Sequence, residues 1–107
     1  MRPDACIGVL LADLHFPASR SLKEKRAPLA SLRDVLQSRF RASFSEVGQQ
    51  DAWQRARVLV VIAASSLQQT RERLDDIDRY LHGRDFEVAR VLLKTSDTVD
   101  TVWDFDS

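Results

Sequence analysis

Between Cys6 and Phe16 nearly every position is apolar, and two sets alternate: Cys6, Gly8, Leu10, Ala12, Leu14 and Phe16 against Ile7, Val9, Leu11, Asp13 and His15. A period of two predicts a strand. Two largely apolar faces predict a central one, with helices over one face and the other face partly covered. Pro17 has no amide to give a ladder and ends it. From Ser21 the period lengthens, because Leu22, Leu29, Leu32, Leu36 and Phe40 fall on one helical stripe. An amphipathic helix is expected over about residues 21–39, capped by Ser19 or Ser21. Pro28 lies inside it and predicts a kink or restart that separates the first turn from the rest.

Residues 42–47 alternate weakly and are polar enough for an edge strand, and Gly48 turns them into the loop GQQDAWQ. The β-branched run from Arg57 to Ala64 predicts a second central strand. Ser66 with Gln69 has the spacing of a capping box, Leu67, Thr70, Leu74, Ile77 and Leu81 make the next helical stripe, and Gly83 suits its end. Glu87 to Lys94 reads as a last strand. The order strand, helix, strand, strand, helix, strand specifies an α+β, ferredoxin-like β-α-β-β-α-β sandwich: a four-stranded antiparallel sheet with two helices on one face. One domain is expected over residues 1–96. Residues 97–107 then form an acidic tail, flexible or docked through Val102, Trp103 and Phe105.

The chain has 107 residues, 44% of them apolar and 30% charged, which is enough for one core without a metal or disulfide framework. Cys6 is the only cysteine, so no intramolecular disulfide forms. No charged-then-apolar leader precedes the fold, and the longest apolar run, Val58 to Ala64, falls far short of the roughly 18 to 20 residues that span a bilayer. These features predict a cytoplasmic protein with no membrane partner.

Charge changes the picture more. The net charge is zero, yet residues 1–57 carry ten Lys or Arg against six Asp or Glu, and the remainder carries six against ten. An anionic partner is therefore sought in the first half. Arg20, Lys23, Lys25 and Arg26 crowd the start of the first helix, with Arg33, Arg39 and Arg41 farther along, against only Glu24 and Asp34. Cations at a helix N-terminus oppose its dipole, and a bound polyanion removes the conflict. The plainer role is a solvated helix face. In the loop, Trp53 either packs as a lid or stacks on a base while Arg55 meets a phosphate.

The runs IGVLLADLHFPASRSLKEKR and FSEVGQQDAWQRARVLVVIAASS, followed by the strand-helix-strand finish, resemble the YlxP-like family, small bacterial proteins of unassigned function with a ferredoxin-like fold. The resemblance covers about residues 5–94 and rests most on SLKEKR and EVGQQDAWQRA. Pro28 and Gln50 depart from the family pattern, and the acidic tail lies outside it. Family genes commonly neighbour those for translation initiation and ribosome maturation. The resemblance thus implies association with RNA or the small ribosomal subunit, a process rather than a mechanism.

Enzymatic chemistry finds little support. Asp13 and His15 share a strand face, but a lone histidine at a strand end is more often a structural hydrogen-bonding group. Cys6, His15 and His82 are too sparse for a metal, three glycines make no phosphate loop, and no nucleophile elbow is present. A non-enzymatic protein without cofactor or metal is expected, with Arg20, Lys23, Lys25, Arg26, Arg33, Trp53 and Arg55 as the nucleic-acid-binding set. The two central strands carry no aromatic but Phe16, which excludes base stacking on the sheet. Their bare aliphatic face, Ile7, Val9 and Leu11 with part of Val58 to Ile62, supports the alternative: a homodimeric interaction or scaffold module without nucleic-acid affinity.

Overall fold

A computed structural model of the chain describes residues 5–97. The acidic segment 98–107, with Val102, Trp103 and Phe105, lies outside the described residues. Strand β1 is Cys6–His15, helix α1 Leu22–Ser38, strand β2 Ser43–Gly48, strand β3 Arg55–Ala64, helix α2 Leu67–Leu81 and strand β4 Glu87–Asp97. All pairings are antiparallel in the order β2-β3-β1-β4, so the two most apolar strands are central, as the pattern predicts. The fold is ferredoxin-like.

One set of each alternating strand faces the helices. Leu10 and Leu14 of β1 and Val58, Val60 and Ile62 of β3 pack under Leu36 of α1 and Leu74, Ile77 and Leu81 of α2, all fully buried. The other set faces away and is only half covered. Gly8 of β1 sits tightly under α2: a Cβ there meets Thr70 Cγ2 at 2.7 Å and Ile62 Cγ1 at 2.9 Å.

Both helices are capped as their sequences dictate. Ser21 Oγ accepts from the Glu24 amide and Ser66 Oγ from the Gln69 amide, each at 3.1 Å. Pro28 does not break α1, which is continuous from Leu22 to Ser38. Losing one amide donor in a helix interior costs about 3 kcal/mol. Lys25 and Leu29, Leu32 and Leu36, buried on either side of the proline, hold both halves against the sheet. The basic first turn is therefore rigidly part of the helix, not a detached segment.

Two irregularities shape the functional end. Val47 is bulged out of the β2–β3 ladder between Glu46 and Gly48, and Ala89 out of β4 opposite Asp13 and Leu14. Such bulges re-aim side chains and carbonyls next to them.

Candidate nucleic-acid interface

The cations of SLKEKR do not form one patch. Lys25 is only 2% exposed. Its Nζ donates to the carbonyls of Gln49 and Arg55, both at 3.0 Å, and to Glu46 Oε2 at 3.2 Å, with the Gln50 carbonyl at 3.5 Å. An ammonium has three protons to give, and these partners account for all of them. The bulge at Val47 and the left-handed backbone of Gln49 (φ 62°) turn the loop carbonyls inward to meet it. Lys25 is thus withdrawn from the nucleic-acid-binding set: it is a buried staple between α1 and the loop that joins β2 to β3.

A second staple completes the corner. Gln54 Nε2 donates to the carbonyls of Pro17 and Ser19 at 3.2 and 3.1 Å, and the Phe16 amide donates to the Gln54 carbonyl at 2.7 Å. The β1–α1 and β2–β3 loops are locked side by side. Trp53, between these anchors, is 56% exposed. It is not a lid, because Lys25 and Gln54 hold the loop without it.

What remains on the surface is coherent. The side chains of Arg20, Lys23 and Arg26 are exposed, and none forms an ion pair among the described residues. Glu24 stands among them, but its carboxylate accepts the Arg20 backbone amide and so serves the helix cap. Arg55 is exposed at the start of β3, across from His15. Arg33 lies farther along α1, with its guanidinium 3.3 Å from the carboxylate of the adjacent Asp34. The loop staples bring Trp53 to the corner that holds Arg20, Lys23 and Arg26, whereas the Arg55 side chain belongs with Arg57 to the outward set of β3, near Asp13 on the other face of the sheet. Arg33 stands apart from the corner.

The outer sheet face carries Ile7, Val9 and Leu11 of β1 opposite Ala63, Val61 and Leu59 of β3, with Leu92 of β4 half exposed beside Leu11. No aromatic of the described residues lies on it, so bases have no stacking platform there. Polar groups rim its corner end. Arg57 donates to both Asp13 oxygens at 2.7 and 3.1 Å, and His15 Nδ1 lies 3.1 Å from Glu87. Asp13 and His15 are each committed to a separate partner, which fits structural roles.

The hydrogen bond from Arg57 holds the Asp13 carboxyl below its ordinary value of 3.8, against the opposing effect of burial. A depressed carboxylate pKa contributes stability that is present above the unfolded-state value and disappears as pH falls through the folded one. Asp13→Asn is therefore expected to lower the urea midpoint at neutral pH. The gap to the wild type should close on acidification below about pH 4. A gap that stays constant down to acid unfolding would show that the pair contributes nothing through its charge.

The fold and this corner define a small ferredoxin-like α+β protein with a basic, aromatic-tipped surface. Residues 7–93 match the family described as "Protein of unknown function (DUF503)", and the chain belongs to that family. It is 36% identical over 75 residues to the uncharacterized protein YlxP of Bacillus subtilis (strain 168), covering 70% of this chain and 80% of that one. The YlxP-like resemblance is confirmed. A solved structure from Bacillus cereus, provisionally named an antibiotic biosynthesis monooxygenase, aligns with a TM-score of 0.41 and 12% identity over 87% of this chain and 91% of that one. That likeness is too remote to speak to activity. No helix among the described residues is long and apolar enough to cross a membrane.

Proposed function

We propose that the protein is a cytoplasmic, non-enzymatic factor that contacts RNA or the small ribosomal subunit during translation or ribosome maturation. The process comes from the family resemblance. The contact surface rests on one observation: Arg20, Lys23 and Arg26, at the start of α1, lie exposed and without an ion pair among the described residues, beside a loop that carries the exposed Trp53 and is held by Lys25 and Gln54. Unpaired cations attract phosphates, and a solvent-facing indole offers a stacking surface that tolerates any base. Arg55 is a further exposed donor at the same end of the sheet, on its outer face.

Binding to purified small subunits and to a ~12-nucleotide single-stranded RNA across a salt series tests this. The Arg20→Glu, Lys23→Glu, Arg26→Glu variant leaves Lys25 in place and so keeps the fold. It is expected to bind at least tenfold more weakly, with a salt slope smaller by about 2, roughly 0.7 for each lost phosphate contact. Trp53→Ala should lose about tenfold in affinity, the value of one stacked base, with an unchanged melting temperature. Equal affinities and slopes for wild type and charge-reversed protein would refute the reading. The bare outer sheet face supports a second reading, a homodimer that binds no RNA. Sedimentation of the same preparations reads it: a mass that doubles with concentration and reverts in Leu92→Glu favours it, and a monomer at all concentrations removes it.

A further inference from the structure

A large cleft among the described residues lies at the other end of the sheet from this corner. It has a volume of about 1010 Å3 and is lined by Arg39, Arg41, Arg73 and Arg79 with Phe40 and Tyr80. Four arginines share the lining, with Asp76 the only carboxylate there among the described residues. They hold different duties. Arg73 spends its guanidinium on the carbonyls of Ala63 and Phe40, both at 2.8 Å, and of Arg41 at 3.4 Å, fixing the turn between α1 and β2. Arg79 pairs with Asp76. Arg39 and Arg41 are exposed and make no ion pair among the described residues.

These two arginines are preorganised. The Arg39 guanidinium lies 5.2 Å from the Phe40 ring centre and 5.6 Å from that of Tyr80. Aromatic contact orients a guanidinium while its edge keeps N–H donors for a planar or tetrahedral oxyanion. Arg41 stands on left-handed backbone (φ 53°), a conformation uncommon outside Gly, Asn and Asp, held in place by the bonds from Arg73. An uncommon backbone held by a partly buried arginine, which aims a second arginine at an open cleft, is the arrangement of an anion site rather than of a solvated surface.

A separate groove lies along α1 between the cleft and the corner. Arg26 and Arg33, seven residues apart on α1, flank it, with Phe44 and Ser45 of the edge strand β2 forming its other wall. Three acids beside this path are engaged, Glu46 with Lys25, Asp34 with Arg33 and Asp76 with Arg79, while Asp51 stands exposed in the Trp53 loop. The cations therefore run as Arg20, Lys23, Arg26, Arg33, Arg41 and Arg39 along the α1–β2 edge. The span is about 30 Å, the length of the ten-residue strand β3. We infer that the Arg39–Arg41 cleft is a second phosphate-binding site, and that a single RNA strand lies along the α1–β2 edge with its backbone anchored at both ends. This rests on the proposal that the corner binds RNA.

Binding of a ~4-nucleotide and a ~12-nucleotide single-stranded RNA, at lengths that cover one end or span both, tests it by fluorescence anisotropy over a salt series. The cleft variant is Arg39→Gln with Arg41→Asn, asparagine being chosen because it tolerates left-handed backbone. Arg73 is kept, since it supports the turn. The expected result is unchanged affinity for the short RNA but a loss of about tenfold for the long one, with a salt slope reduced by about 1 to 2. A folded cleft variant that binds both lengths as the wild type does would overturn the second site while leaving RNA binding at the corner intact. Wild-type protein that binds neither length overturns both.

Discussion

Lys25→Ala is expected to cost about 3 kcal/mol of folding stability, seen as a fall of roughly 10 to 20 °C in the thermal midpoint. The substitution does more than delete a charge pair. It strands the Gln49 and Arg55 carbonyls, both turned inward to the ammonium at 3.0 Å, and leaves the partly covered Glu46 carboxylate without its cation. Stranded buried acceptors carry most of the penalty, since the net value of a hydrogen bond is small and an unmet one is expensive. Lys25→Arg should not rescue it, because a planar fork cannot aim its donors at three acceptors around one point. Adding Glu46→Gln to Lys25→Ala should cost less than the two changes summed, as the carboxylate then has no cation to lose. Urea unfolding of the four proteins measures this cycle. A loss below about 1 kcal/mol for Lys25→Ala would mean that water replaces the ammonium freely and that the loop is not held by it.

Gly8→Val should be comparably severe, about 3 kcal/mol, for the opposite reason: there is too much atom rather than too little bond. A Cβ at this position stands 2.7 Å from Thr70 Cγ2, 2.9 Å from Ile62 Cγ1 and 3.1 Å from Leu74 Cδ1. None of the three can retreat. Thr70 Oγ1 is tied to the Ser66 carbonyl at 2.8 Å, and Ile62 and Leu74 are buried in the core. Gly8→Ala should cost less than valine, and Thr70→Ser, which removes the nearest methyl and keeps the hydroxyl, should recover part of that loss. Thermal melts of the alanine variant with and without Thr70→Ser decide the matter. Failure to recover would show that the strand-to-helix spacing is set by something other than this contact.

The fold was legible because its signals are local and repeated. The period of two from Cys6, the stripe from Leu67 to Leu81 and the Ser66–Gln69 spacing each specify an element without knowledge of its neighbours. Pro28 was misleading, since its intrinsic cost is real but is met by packing on both sides, which no local rule counts. The site was legible only in outline. Lys25 looked like one more surface cation because its residue type suggests solvent, yet its position was informative: it precedes Leu29, Leu32 and Leu36 at spacings of four, three and four. It therefore sits on the buried stripe, three residues after Leu22. A charged residue in register with a core face predicts a buried partner elsewhere in the chain, and the carbonyl-rich turn after Glu46 supplies it. Trp53 failed as a lid for a complementary reason: the size of an indole suggests burial, but the anchors of its loop lie in backbone carbonyls and in Gln54, which composition does not reveal. The Arg39–Arg41 cleft went unread because its arginines come from the end of α1, the turn after it and the middle of α2, brought together only by the fold.

The Lys25 joint also changes what the family's recognisable sequence means. SLKEKR supplies the ammonium and EVGQQDAWQRA supplies Glu46 and the carbonyls of Gln49, Gln50 and Arg55 that receive it. The two runs are thus two sides of one lock, and a change at Lys25 leaves Glu46 and the facing carbonyls without their donor. A relative that keeps both has inherited the shape of this corner. On the proposed reading the partner is met by side chains that this lock leaves pointing outward, those of Arg20, Lys23, Arg26 and Trp53, which can be exchanged without disturbing the joint.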